Sequence, residues 1–170
     1  MRFMTLVVAL TFGTASVAAA RTQSKMAVGV DAGALQAADE SFFQLGLRAT
    51  PSRGGYGSVD FAFATLPDVL FDGTLVFLMD LGITYGAPSD TSDRSPVYVF
   101  PHAGLSLFTA SGLSGSGGGG AVAGLNIGAG LLLPASPSLG FSFDYTYRRF
   151  FSEGSSLPVS SITAGLMFWH

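Results

Sequence analysis

Residues 140–151 read GFSFDYTYRRFF. Phe141, Phe143, Tyr145 and Tyr147 alternate with Ser142, Asp144, Thr146 and Arg148, the two-residue period of a β-strand. One face of this strand is wholly aromatic, and the other carries an acid and a base. A half-buried strand of a soluble protein also alternates, with its apolar face on a core and its polar face in water. In a membrane barrel the apolar face meets lipid and the polar face lines the lumen. The rest of the chain decides between the two.

The same alternation recurs over eight runs, at 25–35, 41–50, 57–66, 74–86, 96–109, 120–132, 138–151 and 158–170. Turn-rich stretches such as QAADE, PSRGGY, APSDTSDRS and LPASP separate them. Most runs match the roughly 9–11 residues with which a tilted strand crosses a bilayer. Set against the alternation, and leaving out the strand-end residues Lys25 and Arg149, the charges within the runs obey one rule. Asp31, Arg48, Asp60, Asp80, Asp144 and Arg148 all fall on the parity opposite the large apolar side chains. Gly29, Gly33, Gly46, Gly82, Gly104, Gly128 and Gly130 share that parity with them. A face so poor in charge and so rich in glycine makes a poor solvated exterior. It suits the cramped interior of an eight-stranded barrel, where the four acids and two arginines would pair as a luminal charge network. The expected fold is therefore an all-β, eight-stranded antiparallel up-and-down transmembrane barrel. The alternative fold is a soluble ligand-binding barrel of the lipocalin sort.

Composition agrees with the membrane reading. Charged residues make up 11% of the 170-residue chain, well below the roughly 25% usual in soluble domains. Beyond the N-terminus, no apolar stretch is long enough for a membrane helix. The chain has no cysteine, which excludes disulfides and thiolate metal sites, and a net charge of −3 gives no reason to expect nucleic acid. Met1-Arg2, the apolar run Phe3–Phe12 and Ala18-Ala19-Ala20 follow the pattern of a secretory signal peptide cleaved after residue 20. Residues 21–170 would then form the barrel domain.

In this layout the chain resembles the small outer-membrane barrels of the OmpA/OmpX kind. The resemblance rests on VYVFPHAGLSL (97–107), GLNIGAGL (124–131), FDYTYRRF (143–150) and the C-terminal TAGLMFWH. It implies a Gram-negative outer-membrane location, and outer-membrane lipids and the barrel-assembly machinery as partners. It also implies that Thr163, Gly165, Phe168 and His170 form the assembly signal, with His170 standing where a Phe is usual. No peptidoglycan-binding domain is expected after the barrel, so an anchoring role is not carried over from the resemblance. The expected state is a monomer.

Other features are weaker. Gly115, Gly117 and Gly120 satisfy G-x-G-x-x-G, but a strand pattern follows where a dinucleotide site needs a helix, so a flexible loop is the better reading. His102, with Ser106 on its own strand and Asp80 on the next, forms a His/Ser/acid set on paper. A luminal histidine bonded to a neighbour explains it more simply, and a single internal histidine without cysteine does not make a zinc site. Pro101 implies either a strand that starts near His102 or a bulge. Phe42, Phe43, Tyr56, Phe71, Tyr85, Phe150, Phe151 and Trp169 read as parts of two aromatic girdles, and Arg149 as a lipid-facing residue that snorkels. The expected function is structural and non-catalytic, with a filled polar lumen, short surface loops and neither cofactor nor metal. A lipid-modifying enzyme using His102 and a narrow solute channel are the alternatives.

Overall fold

The computed structural model describes residues 26–51, 57–70, 74–85, 97–112, 120–136, 138–152 and 154–169, without the side chains of 51, 57–60, 68, 70 and 169. The expected signal peptide, the glycine tract at 115–119, Tyr56, Phe71 and His170 lie outside the described residues. The eight strands are β1 (Met26–Ala37), β2 (Glu40–Pro51), β3 (Gly57–Thr65), β4 (Thr74–Tyr85), β5 (Tyr98–Gly112), β6 (Gly120–Ser136), β7 (Leu139–Ser152) and β8 (Ser155–Trp169). Each pairs antiparallel with its sequence neighbour, and β8 returns to pair with β1 from Ala27↔Trp169 to Ala37↔Val159. The barrel is closed, so every strand has a partner on both sides.

The alternation acts as the sequence indicated. Ile83, Leu105, Ile127, Phe143 and Ile162 stand on the outer wall, at 67%, 60%, 62%, 48% and 65% exposure. A soluble barrel would bury these side chains, and the lipocalin alternative fails on them. The minor parity, with Arg48, His102, Asn126, Asp144 and Arg148, is buried inside.

The lumen is less polar than expected. Leu35, Leu66, Val76, Leu78, Phe150 and Val159 form an apolar plug at the end bearing the β1–β2, β3–β4, β5–β6 and β7–β8 connections. Phe100, Leu132 and Met167 form a second at the end that holds the termini of the barrel. Polar side chains occupy the waist between them. Phe150 is accordingly no girdle residue. It sits on the parity of Arg148, is 2% exposed, and packs on Phe108 with ring centroids 5.7 Å apart. Phe42 likewise points inward, against the same plug. Tyr85 and Phe151 are exposed on the wall as expected.

Strand ends differ from the sequence reading in three hairpins, and at LPASP β6 runs on to Ser136 while β7 begins at Leu139. The expected loops at 36–40 and 152–157 shrink to two-residue turns, because polar pairs such as Gln36↔Ser41 and Ser152↔Ser155 continue the ladders past the apolar band. Gly154 supplies the positive φ of one turn, whereas Ala38 adopts φ 51° in the other despite its Cβ. A short helix, α1 (Pro67–Leu70), lies in the β3–β4 connection and sets Val69 against the plug. Pro101 needs neither a late strand start nor a bulge. The strand begins at Tyr98, and the β4 ladder stops at Thr84↔His102, so Pro101 is paired only with Ala129 of β6.

Phe143→Arg places a charge on the outer wall near mid-strand and should cost about 2–4 kcal/mol in lipid vesicles. Ser138→Arg, in an exposed turn, should cost little. Urea unfolding of both variants in vesicles checks this, and equal tolerance at the two sites would contradict a lipid-facing wall.

Candidate functional site

The waist is built by glycine exchange across the ladders. An inward side chain on one strand faces a glycine on the next: Arg48 faces Gly29, Asp31 faces both Gly46 and Gly165, His102 faces Gly128, Asn126 faces Gly104, and Asp144 faces Gly130. The fit is close. A Cβ at Gly130 would lie 2.8 Å from Asp144 Oδ2, and one at Gly165 would lie 2.8 Å from Asp31 Cα.

In the space so made, β7 supplies the hub of one cluster. Asp144 Oδ2 accepts from Arg48 Nη1 of β2 and from His102 Nε2 of β5, each at 3.1 Å, while Oδ1 accepts from Thr146 Oγ1 at 2.6 Å. Arg48 also lies over the Phe100 ring, with Cζ 5.9 Å from its centroid. The second cluster centres on Asp80 of β4. Arg148 reaches across from β7 and donates side-on, Nε to Oδ1 and Oδ2 at 3.1 and 3.0 Å and Nη2 to Oδ2 at 2.5 Å. Its Nη1 donates to Ser161 Oγ at 2.7 Å. Ser106 Oγ donates to Asp80 Oδ1 at 2.5 Å, and Asn126 Nδ2 donates to Ser106 Oγ at 2.9 Å and to the Leu105 carbonyl at 3.0 Å.

Four of the six expected charges thus meet as two cross-lumen pairs, Arg48–Asp144 and Arg148–Asp80. Asp31 shares a small cavity with both clusters, and the Asp60 side chain lies outside the described residues, although its backbone pairs with Gly82. That cavity measures about 10 Å³ of room for the centre of a water molecule, the size of one water. Gln44, 4% exposed, lines it with an Oε1 that has no hydrogen-bond partner among the described residues. Thr146 and Ser161 were not singled out in the sequence, although their inward parity was readable there.

The His102/Ser106/Asp80 set does not form a relay. His102 bonds to Asp144 and Ser106 to Asp80, so the two side chains serve different carboxylates. Among the described residues no cluster of His, Asp and Glu is arranged to hold a metal ion. Of the C-terminal residues, Thr163 is buried inside, Gly165 adjoins Asp31, and Phe168 stands on the outer wall at 44% exposure.

No known protein family and no curated protein matches the chain in sequence. Solved structures match its shape. Neisserial surface protein A superposes with a TM-score of 0.60 at 17% identity, over 86% of this chain and 97% of that one. The N-terminal β-barrel domain of Pseudomonas aeruginosa OprF gives 0.60 at 14% identity, over 86% and 100%. A major outer membrane protein from Thermus thermophilus gives 0.58 at 15% identity, over 86% and 99%. The fold is that of the small outer-membrane barrels. At these identities the likeness speaks for the fold alone, and it extends over nearly the whole length of each neighbour.

Removing the hub of a buried cluster strands its donors. Asp144→Ala takes away the carboxylate that Arg48 Nη1 and His102 Nε2 share, and should cost about 3–5 kcal/mol of stability. The double replacement Arg48→Met/Asp144→Leu removes both charges and should recover most of that loss. Urea unfolding in detergent micelles compares them, and a double variant as unstable as Asp144→Ala would show that the charges themselves are needed.

Proposed function

We propose that the chain is a structural outer-membrane barrel, exported by a signal peptide cleaved after residue 20, with a sealed lumen and no catalytic activity. The observation that carries this reading is the filling of the lumen. Two apolar plugs occupy its ends, ion pairs span its waist, and the cavity that both clusters line has room for about one water among the described residues. A narrow solute channel would need a continuous aqueous path through both plugs. A lipid-modifying enzyme would need its histidine within reach of acyl chains, and His102 is 7% exposed on the inner face. With the chain termini in the periplasm, the short β1–β2 and β7–β8 turns face outward, too small to form a binding lobe. Lipids of the outer membrane and the barrel-assembly machinery are the partners this reading assigns, and the barrel is a monomer.

Planar-bilayer recording tests the sealed lumen. The purified protein should give no persistent porin-sized current, while its electrophoretic mobility in detergent should shift on heating as a folded barrel unfolds. A stable large current would overturn the sealed reading.

Assembly tests the role of Thr163, Gly165, Phe168 and His170. β8 closes the barrel on β1, and until it does both strands expose backbone groups that lipid does not tolerate. Phe168→Asp should accumulate as an unfolded periplasmic species, and His170→Phe should assemble at least as well as the parent. Folded yield in outer-membrane fractions measures both. Unchanged yield on deleting residues 168–170 would remove the assembly role.

A further inference from the structure

Arg149 is the only charged side chain on the outward parity of the strands among the described residues, and it is exposed. It follows Tyr147 on the wall of β7 and stands opposite Leu125 of β6 and Pro158 of β8. Its height is set by the ladder. Arg149↔Pro158 lies three pairs from the closing pair Ser152↔Ser155, roughly 10 Å along the strand. β7 has 14 residues, of which roughly 9–11 tilted residues suffice to cross hydrocarbon, so its last turn-side residues lie at headgroup level.

The guanidinium is fixed there. Nε and Nη2 both donate to Ser156 Oγ, at 3.2 and 3.0 Å. These two bonds hold one edge of the fork against β8 and leave both Nη1 hydrogens and one on Nη2 without an acceptor among the described residues. Asp31, Asp80 and Asp144 line the lumen on the other side of the wall, and Glu40 begins β2, three strands away from β7 in the ladder order. A fixed planar cation at the edge of the hydrocarbon, with a free pair of parallel donors, matches the oxygens of a phosphate, which arginine grips in two places at once.

We propose that Arg149, oriented by Ser156, binds the phosphate of a phosphorylated lipid headgroup on the outer wall, at the end of the barrel that carries the β7–β8 turn. The site rests on the membrane reading above and is independent of whether the lumen is sealed. The Ser156 hydroxyl does more than accept the two bonds. Its own hydrogen is available to a second phosphate oxygen, so the serine and the guanidinium edge form one polar spot within an apolar wall.

Parent, Arg149→Gln, Arg149→Lys and Ser156→Ala proteins are refolded into phosphatidylcholine vesicles containing either spin-labelled phosphatidic acid or spin-labelled phosphatidylcholine. The motionally restricted fraction of each label gives the lipid selectivity. The parent should prefer phosphatidic acid by about fivefold, the scale of one basic residue at an anionic surface. Arg149→Gln should abolish the preference, and Ser156→Ala and Arg149→Lys should keep part of it, since they retain the charge and lose the fixed fork. Normal heat-shifted mobility of all four proteins shows insertion; its failure in the parent would refute the membrane reading itself. With insertion normal, equal selectivity in parent and Arg149→Gln would overturn the site. Loss of the parent's selectivity on adding inorganic phosphate to the buffer would also overturn it, since the site would then bind a free anion and not a headgroup.

Discussion

The volume inside an eight-stranded barrel is the constraint on which this protein depends. Closure of that many strands leaves an interior just wide enough for side chains to fill. Large residues crowd each other across adjacent inward positions, and the chain eases this by setting a glycine opposite many of its inward polar groups. Gly128 makes room for the His102 ring, Gly29 for Arg48, and Gly46 with Gly165 for Asp31. Gly82 and Gly104 face each other across β4 and β5, where a Cβ on Gly82 would come 2.7 Å from the Ala103 carbonyl oxygen. The glycine content is thus a packing requirement of the strands as much as a property of loops.

Within that space the charges also fix the register. A one-residue slip of a strand moves its whole inward set to the outer wall. For β7 a slip would carry Asp144, Arg148 and Thr146 into lipid and bring four aromatic rings into a lumen with no room for them. The ion pairs join strands that are not neighbours: Arg148 of β7 meets Asp80 of β4, and Arg48 of β2 meets Asp144 of β7. Such pairs form only when the sheet has closed with the right stagger, so they report on the whole barrel and not on any one hairpin. Their net worth is modest, because desolvation offsets much of the attraction. Their specificity is large, because any misregistered closure leaves the same charges buried and unpaired.

Much of this was readable from alternation. The parity of Asp31, Arg48, Asp80, Asp144 and Arg148 placed them together against the large apolar residues, and eight runs gave the strand count. Which acid meets which base was not readable. Asp144 and Arg148 lie four residues apart on one face of one strand, a natural pair by sequence, yet each bonds across the lumen to a different strand. That choice is made by the stagger of the closed sheet, a global quantity to which no local stretch gives access. Phe150 and Phe42 are a different kind of miss. Their inward parity was visible, but position near a strand end suggested a girdle, and the apolar plug that recruits them exists only when residues from all eight strands converge. The service of Ser106 and Asn126 to Asp80 depended on the pairings Asp80↔Ser106 in the β4–β5 register and Gly104↔Asn126 in the β5–β6 register.

Plugs and pairs also support each other energetically. The attraction between two charges falls as water raises the local dielectric, by several-fold between a dry interior and a wet one. At the waist the outer wall is apolar, so water can arrive only along the lumen from the two ends. Phe150, Leu35 and Leu78 at one end and Phe100, Leu132 and Met167 at the other stand in that path. They limit the water that reaches Asp80 and Asp144, which strengthens each hydrogen bond the carboxylates accept. The same dryness makes an unpaired charge there far more costly, so the apolar ends convert a set of polar side chains into a demand for one arrangement. Apolar residues in the lumen of a lipid-facing barrel therefore do not contradict its inside-out design. They are what makes the polar middle selective.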